Sequence, residues 1–313
     1  MNNPAFSTKT IILAKARGFC NGVESAIAYL EKELSLRKGK LEQEEEEIFL
    51  LHELVHNEKV VESFLQRGVR IIEEPEEAIL PPGRKGILVL SAHGVSSDVE
   101  KRAIATGCRI VDATCPIVRS LHEKAERFSR EGKTILLLGK RGHRETEGIA
   151  GRVTEKVIIL ENEKEVARFL ENLSPEEKHT SYGCLSQTTL DAEKVEKMKS
   201  LLEGSLPDLT INAQVCFATK ERQQAVRELA ENCEIILVVG SGKSSNSRRL
   251  CECAREAGRD SILIPRPEEF DVSCLLPYRT IGVTSGASAP EESLQLLLER
   301  LLHNPFFAAE RAE

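Results

Sequence analysis

The sequence predicts an α/β protein built from parallel sheets. Short and almost continuously apolar runs alternate with amphipathic segments along most of the 313 residues, a pattern typical of strands that helices cover on both faces. Apolar residues make up 41% of the chain, which is enough to build real cores. Three cysteines recur at intervals close to one third of the length, which indicates three related units.

Ten segments are predicted as strands because β-branched and other apolar residues fill consecutive positions. In chain order they are Thr10–Ala14, Ile48–Leu51, Val69–Ile72, Gly86–Leu90, Arg109–Asp112, Thr134–Leu138, Val157–Leu160, Ile235–Val239, Ser261–Ile264 and Thr280–Thr284. Eight amphipathic segments are predicted as helices. They are Val23–Leu36, Glu58–Gln66, Val99–Ala105, Val118–Arg130, Ala192–Leu202, Glu221–Asn232, Ser247–Ala257 and Glu291–Leu301. This alternation favours βαβ units.

Composition and charge exclude two classes of partner. The chain has 43 Lys and Arg against 50 Asp and Glu, a formal net charge of −7, with ten Phe, three Tyr and no Trp. An acidic chain with few stacking side chains is a poor binder of nucleic acid. The apolar runs are far shorter than the ~18 residues of a membrane span, so we expect no membrane partner either. The acidic run Glu42–Glu47 is predicted to be a solvated loop or a helix end.

The nine cysteines indicate a reducing compartment. The N-terminal segment has no basic start followed by an apolar core, and an odd number of cysteines fits a disulfide framework badly. We therefore expect a cytoplasmic protein whose thiols stay reduced. Six of the cysteines are expected to pack in helices or strands, namely Cys108, Cys184, Cys233, Cys251, Cys253 and Cys274.

The other three cysteines have a different context. Cys20, Cys115 and Cys216 are separated by 95 and 101 residues, and each follows a predicted strand and opens an amphipathic helix. A helix N-terminus stabilises a thiolate, the form that binds metals. If the three thiolates held a four-iron cluster, one iron would remain open to substrate. The alternative is that these thiols only fill cores, which is the commoner role of single cysteines.

Polar loops follow many of the predicted strands. They contain His52, His56, His93, His143 with Glu145, the run Gln187-Thr188-Thr189, and the hydroxyl-rich segments 240–246 and 285–290. Hydroxyls, amides, imidazoles and helix N-termini at strand ends are what an anionic phosphate group needs. The Gly-Lys-Ser at 242–244 is not a nucleotide P-loop, because that motif requires Gly at position 237, where this chain has Leu.

Together these motifs resemble the LytB (IspH) family of 4-hydroxy-3-methylbut-2-enyl diphosphate reductases, which act in the non-mevalonate isoprenoid pathway. The resemblance extends from about Thr10 to Leu301. The motifs that carry it are Arg17-Gly18-Phe19-Cys20, His52-Glu53-Leu54-Val55-His56-Asn57, Ser91-Ala92-His93-Gly94-Val95, Asp112-Ala113-Thr114-Cys115-Pro116, Gln187-Thr188-Thr189-Leu190, Ser244-Ser245-Asn246-Ser247 and Gly286-Ala287-Ser288-Ala289-Pro290.

The resemblance implies a trefoil of three α/β units around one 4Fe–4S cluster with three cysteine ligands and one open iron site. The implied ligands are Cys20, Cys115 and Cys216. The implied diphosphate pocket contains His56, His93, His143, Thr188, Ser244, Ser245, Asn246 and Ser288, and Glu145 matches the family's proton donor. The implied units are 22–115, 116–212 and 213–301, with an N-terminal strand in 1–21 joined to the third unit and a C-terminal tail at 302–313.

The resemblance also implies an oxidoreductase that removes the hydroxyl of an allylic alcohol diphosphate and yields isopentenyl and dimethylallyl diphosphate. Reduced ferredoxin or flavodoxin is the implied electron donor. The sequence departs from the family pattern at Lys15-Ala16, where Asn-Pro is frequent, at Asn21, where a small residue is commoner, and at Arg144, where Pro is usual. The acidic run before His52 resembles an insertion. None of these departures removes an implied ligand or the acid.

Two other functions remain open on the residues. A non-catalytic iron–sulfur sensor would hold a cluster without turning over substrate, although a placed acid such as Glu145 argues against it. A cluster-free enzyme acting on a phosphorylated ligand would be colourless and would tolerate Cys115→Ser. The reductase instead requires that this substitution remove both cluster and activity.

Overall fold

The computed structural model describes residues 8–37, 46–154, 156–304, 306 and 308–312. The strands in this part of the chain form three sheets, and every strand pair in them is parallel. The predicted α/β class with three parallel-sheet units is therefore confirmed. No helix among the described residues is long and apolar enough to cross a membrane.

The strands and helices alternate along the chain. The strands are β1 (Lys9–Leu13), β2 (Glu47–Leu51), β3 (Val69–Ile72), β4 (Gly86–Leu90), β5 (Arg109–Asp112), β6 (Thr134–Leu138), β7 (Val157–Leu160), β8 (Tyr182–Ser186), β9 (Leu209–Ile211), β10 (Ile235–Val239), β11 (Asp260–Ile264), β12 (Thr280–Ser285) and β13 (Ala309–Ala312). The α-helices are α1 (Asn21–Arg37), α2 (Glu58–Leu65), α3 (Ser97–Ala105), α4 (Pro116–Arg130), α5 (Arg144–Ala150), α6 (Glu163–Glu171), α7 (Pro175–Lys178), α8 (Ala192–Glu203), α9 (Phe217–Asn232), α10 (Ser245–Glu256) and α11 (Glu291–Leu302).

The chain forms two compact units. The larger consists of Asn21–Val55 and Val61–Cys216 and contains two four-stranded sheets, with the orders β3-β2-β4-β5 and β7-β6-β8-β9. The smaller consists of the described residues of Met1–Cys20, His56–Val60 and Phe217–Glu313 and contains one sheet with the order β11-β10-β12-β1-β13. The boundaries at 22–115, 116–212 and 213–301 stay a prediction.

The same strand order recurs in the three sheets. In each sheet three strands that follow one another along the chain, β2 to β4, β6 to β8 or β10 to β12, have the same arrangement: the second of the three lies outside the first, and the third lies on the first strand's other side. A fourth strand, which is β5, β9 or β1, lies beside the third. Each of these strands precedes one of the three predicted ligand cysteines in the chain. The structure thus repeats one βαβ design three times, as the cysteine spacing predicted.

Burial on both faces of the sheets explains why the strands could be recognised from continuous apolar runs in the sequence. All five residues of β4, β8 and β10 are buried, as expected for the middle strands of parallel sheets between helices. In the smaller unit, one face packs on α11 through residues such as Leu294 and Leu297, and the other packs on α9 through Val226 and Leu229. The ten predicted strands agree with the structure to within one residue at each end.

Three strands lie where the apolar pattern predicted none. In β8 the sequence Tyr-Gly-Cys-Leu-Ser contains Gly183, a weak strand former, but an added Cβ there would lie only 2.3 Å from Cδ2 of Phe128. Packing therefore demands glycine at this position. Strand β9 has only three residues, and β13 is a non-apolar segment of the predicted tail that pairs with β1. The helices α5, α6 and α7 were also not predicted.

Two predicted segments fall partly outside the described residues. In the acidic run, positions 42–45 are outside them, while Glu47 is the first residue of β2. In the N-terminal strand segment, positions 1–7 are outside them, and β1 pairs with β12 and β13.

Five of the six cysteines expected to pack are buried, namely Cys108, Cys184, Cys233, Cys251 and Cys253. The expectation is wrong for Cys274, which is exposed. Cys274 belongs to a short 3-10 turn, Val272–Leu275, in which Val272 and Leu275 face the core. The tight turn leaves Cys274 on the outer side.

Candidate active site

The predicted site residues follow the first and the third strand of each repeated set of three, namely β2 and β4, β6 and β8, and β10 and β12. With this strand order, the chain leaves the first and the third strand in opposite directions. In open α/β sheets, ligands bind in the crevice at the carboxyl ends of two such strands. The residues after the first strands are His56, His143, Glu145, Ser244, Ser245 and Asn246, and those after the third strands are His93, Thr188 and Ser288. The topology therefore places all of them at the ligand-binding ends of the strands.

The same main-chain hydrogen bond fixes each of the three predicted ligand cysteines. The N–H of the cysteine donates to the carbonyl of the second residue after β12, β4 or β8. The pairs are Cys20 with Ala287 at 3.1 Å, Cys115 with Ala92 at 3.0 Å and Cys216 with Thr188 at 3.1 Å. Each cysteine is also the last residue before a long helix, α1, α4 or α9. The fold thus presents one thiol at the same position in each of three sheets.

These three thiols differ from the buried ones in a way that suits metal ligation. Cys20, Cys115 and Cys216 are partly exposed, and a helix N-terminus favours the thiolate. By contrast, burial raises the pKa of Cys184 to about 12 and that of Cys233 to about 11. A buried thiol of this kind is protonated at neutral pH and is less suited to bind a metal. The donor set at the three helix starts therefore fits an iron–sulfur centre.

Glu145 is a buried carboxyl group in the first turn of α5. It is only 3% exposed, and it accepts hydrogen bonds at Oε1 from the N–H of Thr188, at 2.6 Å, and at Oε2 from Oγ1 of Thr188, at 2.9 Å. Burial raises the pKa of Glu145 to about 7, although the two hydrogen bonds from Thr188 oppose the shift. Glu145 can therefore hold a proton near neutral pH, as a general acid must.

Thr188 connects this acid to a thiol. Its N–H and hydroxyl hold the carboxyl group of Glu145, and its carbonyl accepts the N–H of Cys216. Gln187 fixes the same loop from the other side, since its Oε1 accepts the N–H of Lys140 at 3.0 Å and its Nε2 donates to Thr189 at 2.8 Å. The acid and one thiol thus share a single hydrogen-bonded segment.

Two histidines of the larger unit lie beside each other. The rings of His93 and His143 have centroids 6.2 Å apart in an edge-to-face arrangement. His143 caps α5, and its Nδ1 accepts the N–H of Glu145 at 3.2 Å. When neutral, His143 therefore carries its proton on Nε2, where it is a donor suited to an anionic oxygen. Arg144, which replaces the usual Pro, pairs with Glu73 at 2.7 Å.

The N-terminus of α10 supplies polar groups in the smaller unit. Ser244 is the N-cap, and its Oγ accepts the N–H of Ser247 at 3.2 Å. Asn246 is 3% exposed, and neither its Oδ1 nor its Nδ2 has a hydrogen-bond partner among the described residues. Since a buried amide without partners is costly, this side chain is a candidate to bind a ligand. The main-chain N–H groups of this helix start add further donors for an anion.

Ser288 and His56 form a contact within the smaller unit. The Ser288 hydroxyl donates to the main-chain carbonyl of His56 at 2.9 Å, and thereby fixes the backbone from which the His56 ring projects. A different histidine of the same motif, His52, has its Nε2 at 3.0 Å from the carbonyl of Glu73. This hydrogen bond gives His52 a structural role.

The structure groups the predicted residues within each unit. The larger unit joins Glu145 to Thr188 and Cys216, places His93 beside His143, and links Cys115 to the loop of His93. The smaller unit links Cys20 to the loop of Ser288, joins Ser288 to His56, and places Ser244, Ser245 and Asn246 at one helix start.

Two hydroxyl residues at the starts of α5 and α10, Thr146 and Ser247, were not among the predicted site residues. An added Cβ on Gly139 would lie 2.8 Å from Oγ1 of Thr146, and one on Gly240 would lie 2.4 Å from Oγ of Ser247. Thr146 and Ser247 thus pack their helices, α5 and α10, closely against the loops that follow β6 and β10. The 101-residue spacing of Cys115 and Cys216 could have revealed them. It also relates Gly139 to Gly240, His143 to Ser244, Glu145 to Asn246 and Thr146 to Ser247.

Known proteins resemble this chain over most of its length. The family model described as "LytB protein" matches residues 11–302. The chain is 37% identical to the 4-hydroxy-3-methylbut-2-enyl diphosphate reductase of Nitrosomonas europaea, over 93% of this chain and 87% of that one. It is 39% identical to the enzyme of the same name from Desulfotalea psychrophila, over 93% and 88%.

A solved structure shows the same fold. The E-1-hydroxy-2-methyl-but-2-enyl-4-diphosphate reductase from Plasmodium falciparum superimposes with a TM-score of 0.85 at 28% sequence identity, covering 97% of this chain and 92% of that one. The family model spans nearly the whole chain, and the relatives match it over nine tenths of its length. The chain therefore belongs to the LytB family.

Proposed function

We propose that this chain reduces 4-hydroxy-3-methylbut-2-enyl diphosphate to isopentenyl and dimethylallyl diphosphate in the non-mevalonate isoprenoid pathway. The observation that carries the proposal is the main-chain hydrogen bond that fixes Cys20, Cys115 and Cys216 at the same place in three sheets. In the larger unit this place adjoins the buried acid Glu145. A metal-ligating thiol set together with a proton donor fits a reductive dehydroxylation.

The three cysteines are proposed to hold one 4Fe–4S cluster with one open iron site. Each is partly exposed and immediately precedes a long helix, so each thiol is accessible to a metal. When bound, such a cluster would supply electrons and a Lewis-acidic site for the substrate oxygen. The net reaction takes up two electrons and two protons and releases water.

Glu145 is the proposed source of the proton that converts the departing hydroxyl to water. Its pKa near 7 lets the carboxyl group carry a proton at the pH of the cell, and the Thr188 hydroxyl lies 2.9 Å from its Oε2. This hydroxyl can pass a proton on, because it both donates and accepts. Thr188 is therefore proposed to relay the proton from the buried carboxyl group.

The diphosphate is proposed to bind to His56, His93, His143, Thr188, Ser244, Ser245, Asn246 and Ser288. The strongest support comes from Asn246, whose buried amide has no partner among the described residues, and from the N-terminus of α10. Imidazole, amide and hydroxyl donors suit the oxygens of a diphosphate. Binding energy from this remote group would orient the reacting carbon.

Reduced ferredoxin or flavodoxin is the proposed electron donor. This proposal follows from family membership alone. The choice between the two is made by comparing turnover with each purified donor.

The test of the function is anaerobic turnover of the hydroxymethylbutenyl diphosphate with a reduced viologen dye as electron source. We expect substrate-dependent bleaching of the dye and formation of both five-carbon diphosphates, which are isomers and are therefore separated by chromatography before detection by mass spectrometry. Brown, iron-loaded protein that fails to turn over would instead favour an iron–sulfur sensor. Colourless protein is first reconstituted with iron and sulfide, and persistent absence of iron after that would favour a cluster-free enzyme.

A matched pair of variants tests the ligand set. Cys115→Ser should remove most of the bound iron and the activity, whereas Cys274→Ser, at an exposed cysteine outside the site, should retain both. Iron content, visible absorption and turnover are measured for both proteins. Equal iron content in the two variants would contradict the role of Cys115.

A further inference from the structure

A buried arginine lies in the first turns of α9, the helix that follows Cys216. Arg222 is 3% exposed. Its Nη1 donates to the carbonyl of Ala218 at 3.1 Å, and its Nη2 donates to the carbonyls of Gly18 at 2.8 Å and Arg17 at 3.5 Å. The guanidinium group thus joins the start of α9 to the loop that leads into Cys20.

The helices that follow the other two proposed ligands, α1 after Cys20 and α4 after Cys115, have no charge at the equivalent position. Arg222 is the sixth residue after Cys216, and the sixth residues after Cys20 and Cys115 are Ala26 and Leu121. Both of these are buried and apolar. Apolar side chains therefore fill the equivalent positions of α1 and α4, whereas burying a guanidinium group costs free energy. A charge that is buried at this cost has a purpose that the apolar side chains of α1 and α4 do not serve.

The position of the charge suggests that purpose. Gly18 is two residues before Cys20, and two residues of chain span at most ~7 Å. Ala218 is two residues after Cys216. The guanidinium group therefore contacts two segments that each lead to a proposed cluster ligand within two residues. A permanent positive charge there stabilises thiolates and the more negative, reduced form of an iron–sulfur cluster, whose reduction potential depends on nearby charge.

We propose that Arg222 is a positioning and charge-compensating residue for the iron–sulfur centre. Its hydrogen bonds to Gly18 and Ala218 hold the Cys20 loop against the start of α9, and its charge raises the reduction potential of the cluster. This proposal rests on the proposed ligand roles of Cys20 and Cys216. For a unit charge ~10 Å away at an effective dielectric constant near 20, the effect on the reduction equilibrium is roughly tenfold.

The test uses two substitutions that separate charge from shape. Arg222→Leu introduces leucine, the residue at the equivalent position of α4 (Leu121), and it removes the charge. Arg222→Lys keeps the charge but loses the planar fork of donors. The control is Arg259→Met, because Nε of Arg259 donates to the carbonyl of Ala230 at the opposite end of the same helix. Each purified protein is analysed for iron content and titrated anaerobically for the midpoint potential of its cluster.

For Arg222→Leu we expect the midpoint potential to fall by ~59 mV or more, which is a tenfold change in the one-electron equilibrium. Arg222→Lys should keep a potential close to that of the unmodified protein but lose iron faster, because the clamp is weakened. Arg259→Met should match the unmodified protein in both measurements. An unchanged potential in Arg222→Leu overturns the proposal, and an equal fall in Arg222→Lys overturns the role of the charge.

Two further outcomes are distinguishable. If Arg222→Leu does not fold, as judged by circular dichroism, Arg222→Gln removes the charge while keeping hydrogen-bond donors, and the same fall in potential is expected. If the unmodified protein holds no iron after reconstitution, the proposed ligand roles of Cys20 and Cys216 fail, and the role of Arg222 that rests on them is overturned too.

Discussion

The carboxyl group of Glu145 receives both of its hydrogen bonds from a single residue, Thr188, one from the main-chain N–H and one from the hydroxyl. This bidentate arrangement fixes the plane of the carboxyl group in a buried place. Burial favours the neutral form and the two hydrogen bonds favour the ionised form, and burial is the larger effect, so the pKa is raised to about 7.

Replacing the carboxyl group should stop the chemistry and spare the binding of substrate. We expect Glu145→Gln to lower kcat by ~100-fold or more, since general acids contribute factors of about 10² to 10⁴, while the Kd for substrate stays within about threefold. The matched control is Glu147→Gln, at an exposed glutamate of the same helix. A kcat for Glu145→Gln equal to that of the control would rule out the acid role.

The same substitution should stabilise the protein at neutral pH. The pKa of Glu145 is raised in the folded state, so the unfolded chain releases this proton first and stability falls as the pH rises from about 4.5 to about 7. A shift from 4.5 to about 7 corresponds to roughly 3 kcal/mol. The advantage of Glu145→Gln in thermal unfolding midpoint should therefore be larger at pH 8 than at pH 4.5. An advantage that does not grow with pH would show that folding does not raise the pKa of Glu145.

Thr188 offers a test of the proposed relay. Thr188→Val removes the hydroxyl while keeping the N–H bond to Glu145, and we expect a loss of ~10-fold or more in kcat, whereas Thr188→Ser should stay close to the unmodified protein. The hydroxyl bond lowers the pKa of Glu145, so its removal should move the alkaline limb of the pH–rate profile to higher pH. A profile that does not move would separate the hydroxyl from the acid.

His122 should make the protein sensitive to acid. It is buried in α4, and burial lowers its pKa to about 4. An added Cβ on Gly94 would lie 2.5 Å from its Cε1, so the ring packs tightly against the turn after His93. As the pH falls below 6.5, the ordinary pKa of histidine, His122 is protonated in the unfolded chain before it is protonated in the folded protein. The stability of the folded state therefore drops until about pH 4.

This loss should be visible as a difference between variants. At pH 5 the expected loss is roughly 2 kcal/mol, and His122→Leu should remove it, whereas His179→Gln, at an exposed histidine, should not. Thermal unfolding midpoints at pH 7.5 and pH 5 provide the measurement. If the midpoints of the unmodified protein and His122→Leu fall equally on acidification, His122 does not carry the effect.

The sequence was a good guide to the sheets and a poorer guide to the loops between them. Strands such as β6 and β10 were readable because burial on both faces demands unbroken apolar runs. Strand β8 was not, because the ring of Phe128 requires Gly183 in the middle of it. Such a requirement comes from a residue 55 positions away and leaves no local pattern.

The candidate site was predicted residue by residue through its motifs, but its internal contacts were not. No pattern in the sequence indicates that Thr188 would hold Glu145 by two bonds or that Cys216 would donate to the same threonine. Helix α5 was missed although it carries the acid, because it has only seven residues. Its N-cap is His143, an uncommon capping residue.

Asn246 allows the diphosphate site to be tested independently of the acid. Its buried amide has no partner among the described residues, and it lies at the N-terminus of α10, where an anion is favoured. Asn246→Asp would place a carboxylate against the anionic substrate. Because hydrogen bonds to charged groups contribute about 1.5–3 kcal/mol, we expect KM to rise at least ~10-fold, with a smaller change in kcat.

The control for this substitution is Asn162→Asp, which makes the same chemical change at an exposed N-cap where aspartate is equally favourable. It should leave KM unchanged. Raising the salt concentration should not restore the KM of Asn246→Asp, because repulsion in a buried site is screened only weakly. A KM equal to that of the control would place the diphosphate elsewhere. A fall in kcat alone would instead assign Asn246 to the reacting end of the substrate, since a group that acts only in the transition state leaves ground-state binding intact.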